Sequence, residues 1–124
     1  MAKKILIVDD SSTIRQTVAV ALSQIGYDLI EACDGVDGLL RLAQNSDVAL
    51  VICDVNMPKK NGIEVLLTIR ADARYAAVPV VMLTTEGNPD LMEQAKLAGA
   101  KGWLVKPFRP EALVSTVKKL AGLP

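Results

Sequence analysis

The 124-residue sequence has no histidine and few aromatic side chains: one tryptophan, two tyrosines and one phenylalanine. Without histidine, a Ser-His-Asp triad, imidazole acid–base catalysis and the usual histidine metal ligands are excluded. Any chemistry must therefore use carboxylates, lysine, threonine and backbone groups.

Cysteine is also scarce. Cys33 and Cys53 lie in apolar contexts and form no CxxC pair, which favours buried packing thiols over a disulfide or a metal site. This usage is typical of a protein in a reducing cytosol.

Net charge and long apolar runs are lacking as well. Fourteen basic and fourteen acidic side chains cancel, and no segment concentrates the positive charge that binding to nucleic acid needs. The N-terminal apolar run is broken by Asp9 and Asp10, too early for a signal peptide, and no run reaches membrane-spanning length. We expect a cytoplasmic protein with no membrane or nucleic-acid partner.

The composition that remains predicts one globular core. Hydrophobic residues make up 51% and charged residues 23% of the chain, which argues against disorder. The length suits one domain and the sequence has no repeat, linker or low-complexity tract. A single domain over residues 1–124 is therefore expected.

Short β-branched apolar runs alternate with segments of helical periodicity. Strands are predicted at residues 5–8, 29–32, 48–53, 80–83 and 103–105. Helices are predicted from Ile14 to Ile25, capped by Ser11 or Ser12, and at about 36–43, 62–71, 89–98 and 110–121. Such alternation requires parallel strands joined by right-handed crossovers. The predicted class is α/β, a doubly wound five-stranded parallel sheet.

In such sheets, ligands bind beyond the carboxyl ends of the strands. Residues expected directly after strands are Asp9, Asp10, Asp54, Thr84, Thr85 and Lys106. Clustered aspartates are tolerated mainly when a hard divalent cation neutralises them or when the acids protonate. Mg²⁺ is the natural cation, and Asp10, Asp54, a loop carbonyl, and waters or phosphate oxygens would satisfy it. Taken singly, the aspartate pair also fits a helix N-terminus and Lys106 a solvated side chain, so the prediction depends on their convergence.

Four motifs then reveal a resemblance that spans the chain: Val8-Asp9-Asp10-Ser11-Ser12, Asp54-Val55-Asn56-Met57-Pro58 followed by Gly62, Thr84, and Lys106-Pro107-Phe108. In this order they resemble the receiver domains of two-component response regulators, and most closely the stand-alone CheY-type receivers of chemotaxis. The resemblance implies the flavodoxin-like strand order 2-1-3-4-5.

The resemblance also implies residue roles. Asp54 would accept a phosphoryl group from the phosphohistidine of a CheA-like histidine kinase, and Asp9, Asp10, Asp54 and the Asn56 main-chain carbonyl would bind Mg²⁺. Lys106 and Thr84 would assist catalysis. The protein would phosphorylate and dephosphorylate itself without turning over free substrates, and the sequence has no nucleotide-binding motif.

Other positions concern switching and signal lifetime. By resemblance, the Thr84 hydroxyl turns toward the phosphoryl group and the fifth-strand aromatic, here Trp103, follows; half-buried packing or a binding hot spot is an equal alternative for Trp103. Asn56 and Glu86 would admit the hydrolytic water and favour rapid autodephosphorylation. The Lys106-Pro107 bond is commonly cis in the family, and its isomer stays open here.

Gly62 is predicted to adopt a conformation that a β-carbon would strain, with an ordinary helix-start glycine as the alternative.

The output would be docking by a monomer through the fourth helix, fifth strand and fifth helix. The target would be the flagellar motor switch or another regulator. A phosphate sink and a phosphorylation-independent interaction module are the alternatives. A haloacid-dehalogenase-type phosphatase fits less well, because its nucleophile follows the first strand and a second aspartate lies two residues on, where this chain has Asn56.

Overall fold

Five strands and five helices alternate in the computed structural model, which describes residues 3–57, 61–85 and 89–123. Their order is β1 (Lys4–Val8), α1 (Ser12–Ser23), β2 (Asp28–Ala32), α2 (Gly35–Gln44), β3 (Val48–Asp54), α3 (Gly62–Ala71), β4 (Val80–Thr85), α4 (Pro89–Leu97), β5 (Gly102–Lys106) and α5 (Pro110–Ala121). Every predicted element is present, and most boundaries differ from the predicted ones by one or two residues.

The strands form one sheet in the order β2-β1-β3-β4-β5, and every neighbouring pair is parallel. The strand order reverses direction beside β1, which has β2 on one side and β3 on the other. The predicted fold class and strand order are confirmed. The crevice between the ends of β1 and β3 is where such a sheet binds ligands.

Two hydrophobic cores cover the two faces of the sheet. One contains Leu6, Val51 and Met82 and packs against residues of α2, α3 and α4. The other contains Ile7, Ile52 and Leu83 and packs against α1 and α5. Because alternate residues of a strand face opposite sides, the near-continuous apolar runs in the sequence serve both cores.

Side-chain caps set the starts of the two helices that follow β1 and β3 at the carboxyl edge of the sheet. Ser11 caps α1 by accepting a hydrogen bond from the Ile14 amide. At α3, Asn61 and Glu64 form a reciprocal capping box. These caps end the loops after β1 and β3, which carry the acidic residues.

Two sequence expectations are wrong in detail. Asp54, Thr84, Thr85 and Lys106 are the last residues of their strands and do not follow them, because the ladder hydrogen bonds continue to these positions. Cys53 is buried as predicted, but Cys33 is exposed, since it lies beyond the end of the edge strand β2.

Among the described residues, no helix is long and apolar enough to cross a bilayer.

Candidate functional site

Three carboxylates converge at the carboxyl end of the sheet. One oxygen each of Asp9, Asp10 and Asp54 lies within 4.8 Å of the others. Asp9 is 0% and Asp54 4% exposed, whereas Asp10 faces solvent. Adjacent central strands, β1 and β3, bring them together as the sequence predicted.

Lys106 reaches this cluster from the end of β5. Its ammonium donates a hydrogen bond to Asp9 Oδ2 at 3.0 Å and lies 3.2 Å from Asp54 Oδ1. Desolvation alone would lower the pKa of Lys106, but the hydrogen bond to Asp9 and the charges of both aspartates outweigh it and raise that pKa. The side chain is therefore a fixed cation between two buried anions.

Asp54 experiences opposing influences. Burial, followed by the nearby charge of Asp9, raises its pKa above the ordinary value, while Lys106 and the Asn56 amide, which donates a hydrogen bond to it, lower that pKa. The net shift is upward. A further cation beside Lys106 would favour the ionised form of Asp54.

Gly62 lies against the backbone at the end of β3. A β-carbon at Gly62 would lie 2.2 Å from the main-chain oxygen of Asp54 and 2.8 Å from Val55 Cα. The Gly62 amide donates to the Val55 carbonyl at 2.9 Å. A β-carbon would be strained at this position, as predicted. The cause is the close approach of α3 to β3, since Gly62 is not among the glycines with a positive φ.

Arg15 of α1, which was not predicted from the sequence, contacts the backbone of the acidic cluster. Its Nη1 donates to the main-chain oxygen of Asp9 at 2.6 Å, and its Nε donates to Glu31 Oε1 at 3.1 Å. The available signal was a cation in the first turns of a helix, where the macrodipole disfavours positive charge.

Thr84 and Trp103 belong to the opposite face of the sheet from Lys106. Trp103 pairs with Met82 and packs on the core beneath α3 and α4, and Thr84, two residues beyond Met82, is 2% exposed. The Lys96 ammonium of α4 lies 5.5 Å from the centre of the Trp103 ring. Trp103 is half-buried and packs against this core, as the packing alternative predicted; its roles as a switch or a binding hot spot stay predictions.

Two further expectations concern the neighbouring loops. The Lys106-Pro107 peptide bond, whose isomer the sequence left open, is cis. Glu86 lies outside the described residues. Asn56 is exposed beside Asp54, and its main-chain carbonyl remains a predicted metal ligand.

The donor set fits a hard divalent cation. All three clustered side chains offer oxygen, two of them are buried, and burial together with Asp9 disfavours the ionised form of Asp54. Mg²⁺ binds through one or two carboxylates and retains waters. The exposure of Asp10 leaves one side of the cluster open to solvent.

Comparison with known proteins agrees with this geometry. The family model described as response regulator receiver domain matches residues 5–118. Chemotaxis protein CheY1 of Helicobacter pylori is 39% identical over 120 residues, covering 96% of this chain and 97% of that protein. The structure of CheY4 of Vibrio cholerae is 40% identical with a TM-score of 0.90, covering 97% of this chain and 99% of the other. With the fold and the acidic cluster in agreement, the chain belongs to the response regulator receiver family.

Proposed function

We propose that this protein is a chemotaxis-type single-domain response regulator, which accepts a phosphoryl group on Asp54 from a histidine kinase and then docks to a target. The observation that carries the proposal is the contact of one lysine with two buried aspartates at the sheet edge. Lys106 lies 3.0 Å from Asp9 and 3.2 Å from Asp54. The likeness of nearly the whole chain to chemotaxis proteins supports a role in chemotaxis.

Phosphoryl transfer would occur at the Asp54 carboxylate. One of its oxygens attacks phosphorus while the bond from phosphorus to the donor's imidazole nitrogen breaks, and the imidazole leaves with the bonding electron pair and takes up a proton. The product is an acyl phosphate. The attacking group must be ionised, and the hydrogen bonds from Lys106 and the Asn56 amide favour that form.

Charge stabilisation is the main catalytic requirement, because phosphoryl transfer depends on positioning and on neutralising the equatorial oxygens. Lys106 is held within reach of Asp54 by its hydrogen bond to Asp9. Asp9, Asp10, Asp54 and the Asn56 carbonyl would hold Mg²⁺, which when bound supplies further positive charge to the transferring group. Thr84, buried at the end of β4, would donate its hydroxyl to the phosphoryl group.

The lifetime of the acyl phosphate would be short. Asn56 is exposed next to Asp54, so a small polar side chain borders the path of an attacking water. Hydrolysis would restore the Asp54 carboxylate and release phosphate, and the protein would act as a phosphoacceptor and not as an enzyme on free substrates.

The output surface would be formed by α4, β5 and α5. Half-buried Trp103, together with Lys101, Thr116, Lys119 and Leu120, lines a groove of about 400 Å³ on this side of the molecule. An aromatic ring at the edge of a groove suits a binding hot spot. The target would be a flagellar motor switch protein or another regulator, as the resemblance to chemotaxis receivers implies, and the protein would work in the cytoplasm as a monomer.

The decisive experiment measures covalent phosphorylation. Purified protein is incubated with acetyl phosphate, with Mg²⁺ or with a chelator, and its intact mass is followed with time. We expect one added phosphoryl group that requires Mg²⁺, is absent in Asp54→Asn and disappears after the donor is removed.

Asp28→Asn is the matched control, because Asp28 is exposed at the amino end of β2. It removes the same charge far from the acidic cluster and should retain full phosphorylation. A wild-type protein that gains no mass with Mg²⁺ would favour a phosphorylation-independent module. Equal labelling of Asp54→Asn would refute Asp54 as the acceptor.

A further inference from the structure

We propose that Arg15 is a positioning residue for the acidic cluster and that Glu31 in turn positions Arg15. The proposal deepens the proposed function and rests on it in one respect, since it takes Mg²⁺ as the ligand of the cluster.

Arg15 holds the peptide group that joins the two N-terminal aspartates. Its Nη1 donates to the Asp9 carbonyl oxygen at 2.6 Å, so it contacts the peptide plane from which Asp10 follows. On the other side of Asp9, the amide donates to the Ala32 carbonyl at 3.1 Å. The Asp9 carboxylate accepts from the Ser11 amide at 2.9 Å. With Arg15 in place, both backbone polar groups of Asp9 are hydrogen-bonded.

Asp10 depends most on this arrangement. Asp10 is exposed. None of the hydrogen bonds that hold Asp9 among the described residues involves the Asp10 side chain. Its carboxylate is therefore directed mainly by the backbone that carries it. Fixing the Asp9 carbonyl fixes the peptide plane and hence the direction from which Asp10 can reach a metal ion.

Glu31 fixes the guanidinium itself. Arg15 Nε lies 3.1 Å from Glu31 Oε1, with the Arg15 side chain 18% and the Glu31 side chain 49% exposed. A pair so open to solvent adds little stability. Its effect is geometric, because guanidinium nitrogens point in fixed directions and two of them are engaged at once. Glu31 stands on β2 opposite Ile7 of β1, one residue before Ala32, so the pair spans the ends of both strands.

Positioning and simple electrostatics make opposite predictions for Mg²⁺ binding. Loss of a positive charge near the carboxylates should strengthen the binding of a cation if charge alone matters. Loss of a positioning group should weaken it, since residues that orient metal ligands typically change affinity by about 10-fold or more. Arg15→Gln therefore separates the two accounts.

The experiment is an NMR titration of amide signals with MgCl₂ in wild type, Arg15→Gln, Arg15→Lys, Glu31→Gln and the double variant Arg15→Gln/Glu31→Gln. We expect Arg15→Gln to raise the Mg²⁺ dissociation constant about 10-fold. Arg15→Lys keeps the charge but loses the fork, and should also bind more weakly than wild type. Glu31→Gln alone should weaken Mg²⁺ binding several-fold. The double variant should bind Mg²⁺ as weakly as Arg15→Gln and no more weakly.

Metal-free spectra give a second readout. The Asp10 and Ser11 amide signals should shift and broaden in Arg15→Gln before any Mg²⁺ is added. Arg74→Gln is the control, because it breaks an arginine–aspartate pair of 2.8 Å on the surface after α3. It should leave these signals and the Mg²⁺ affinity unchanged.

Arg15→Gln binding Mg²⁺ as tightly as wild type, or more tightly, would overturn the proposal. A double variant with wild-type affinity would also overturn the proposal, because the loss of one positive and one negative charge would then simply cancel. Wild-type protein that binds no Mg²⁺ would instead refute the proposed function, so the two failures are distinguishable.

Discussion

Gly62 and Asp54 approach so closely that a β-carbon on Gly62 would lie 2.2 Å from the Asp54 carbonyl oxygen. Both partners in this contact are backbone, so neither can rotate away. Gly62→Ala should therefore push the start of α3 from the end of β3. We expect a loss of about 1–3 kcal/mol in the free energy of unfolding, measured by urea denaturation, and slower phosphorylation by acetyl phosphate.

Gly102→Ala provides the comparison for that variant. A β-carbon there would meet only side-chain atoms, the nearest being Leu120 Cδ1 at 3.6 Å. It should be neutral or slightly stabilising, since alanine has less backbone entropy to lose than glycine. Equal effects of the two substitutions would contradict the steric argument.

Replacing Asp54 should stabilise the metal-free protein. Burial and the charge of Asp9 raise the pKa of Asp54, which means that the ionised carboxylate costs the folded state free energy. Asp54→Asn removes that charge with little change in size. In the presence of a chelator we expect its urea midpoint to exceed that of wild type at neutral pH.

The same comparison should depend on pH. The folded protein binds the Asp54 proton more tightly than the unfolded chain does. The contribution of Asp54 to the free energy of unfolding therefore falls as the pH rises from 3.8, the ordinary pKa of this carboxyl, through its raised pKa in the folded protein. The advantage of Asp54→Asn should be small below that range and grow to a plateau above it. Urea melts of both proteins across this range, with chelator, test the sign; an advantage that shrinks with rising pH would contradict it.

Magnesium should stabilise the wild type by mass action. At 100 times its dissociation constant, a ligand that binds only the folded state adds about 2.7 kcal/mol, which corresponds to roughly 10 °C in melting temperature for a domain of this size. Chelation should reverse the shift. Differential scanning calorimetry of Asp10→Asn should show a much smaller response, and an equal one would remove Asp10 from the metal site.

Lys106→Ala should change stability and metal affinity in opposite directions. The substitution leaves Asp9 and Asp54 without the ammonium that lies 3.0 and 3.2 Å from them, which should cost about 3 kcal/mol in chelator. Mg²⁺ should bind more tightly, because a competing cation is gone. Exposed Lys118 on α5 is the control position, and alanine there should alter neither quantity.

Lys96 should shield Trp103. Its ammonium lies 5.5 Å from the ring centre, and removal should increase acrylamide quenching of the single tryptophan and cost about 0.5–1 kcal/mol. Lys101 is exposed and lines the groove beside Trp103. Lys101→Ala is therefore the control and should leave the quenching unchanged. Unchanged quenching in Lys96→Ala would mean that Lys96 does not cover the ring in solution.

The sequence was sufficient for those features that depend on pattern. Apolar runs and helical periodicity predicted every strand and helix, and the strand ends predicted that Asp9, Asp10, Asp54 and Lys106 would meet. Features that depend on three-dimensional approach were not accessible. The backbone contact that requires Gly62 and the exposure of Cys33 are two such features. The pairing of Arg15 with the Asp9 carbonyl, in the loop before α1, is a third.

The alternation of side chains along β4 and β5 has a consequence for how such proteins diverge. Lys106 and Trp103 stand on one strand, three residues apart, yet serve opposite faces of the sheet. Mutations that remodel the surface around Trp103 therefore need not disturb the ammonium among the carboxylates. Substitutions on the exposed side of Trp103 can therefore change what this surface binds while Lys106 keeps its contacts with Asp9 and Asp54.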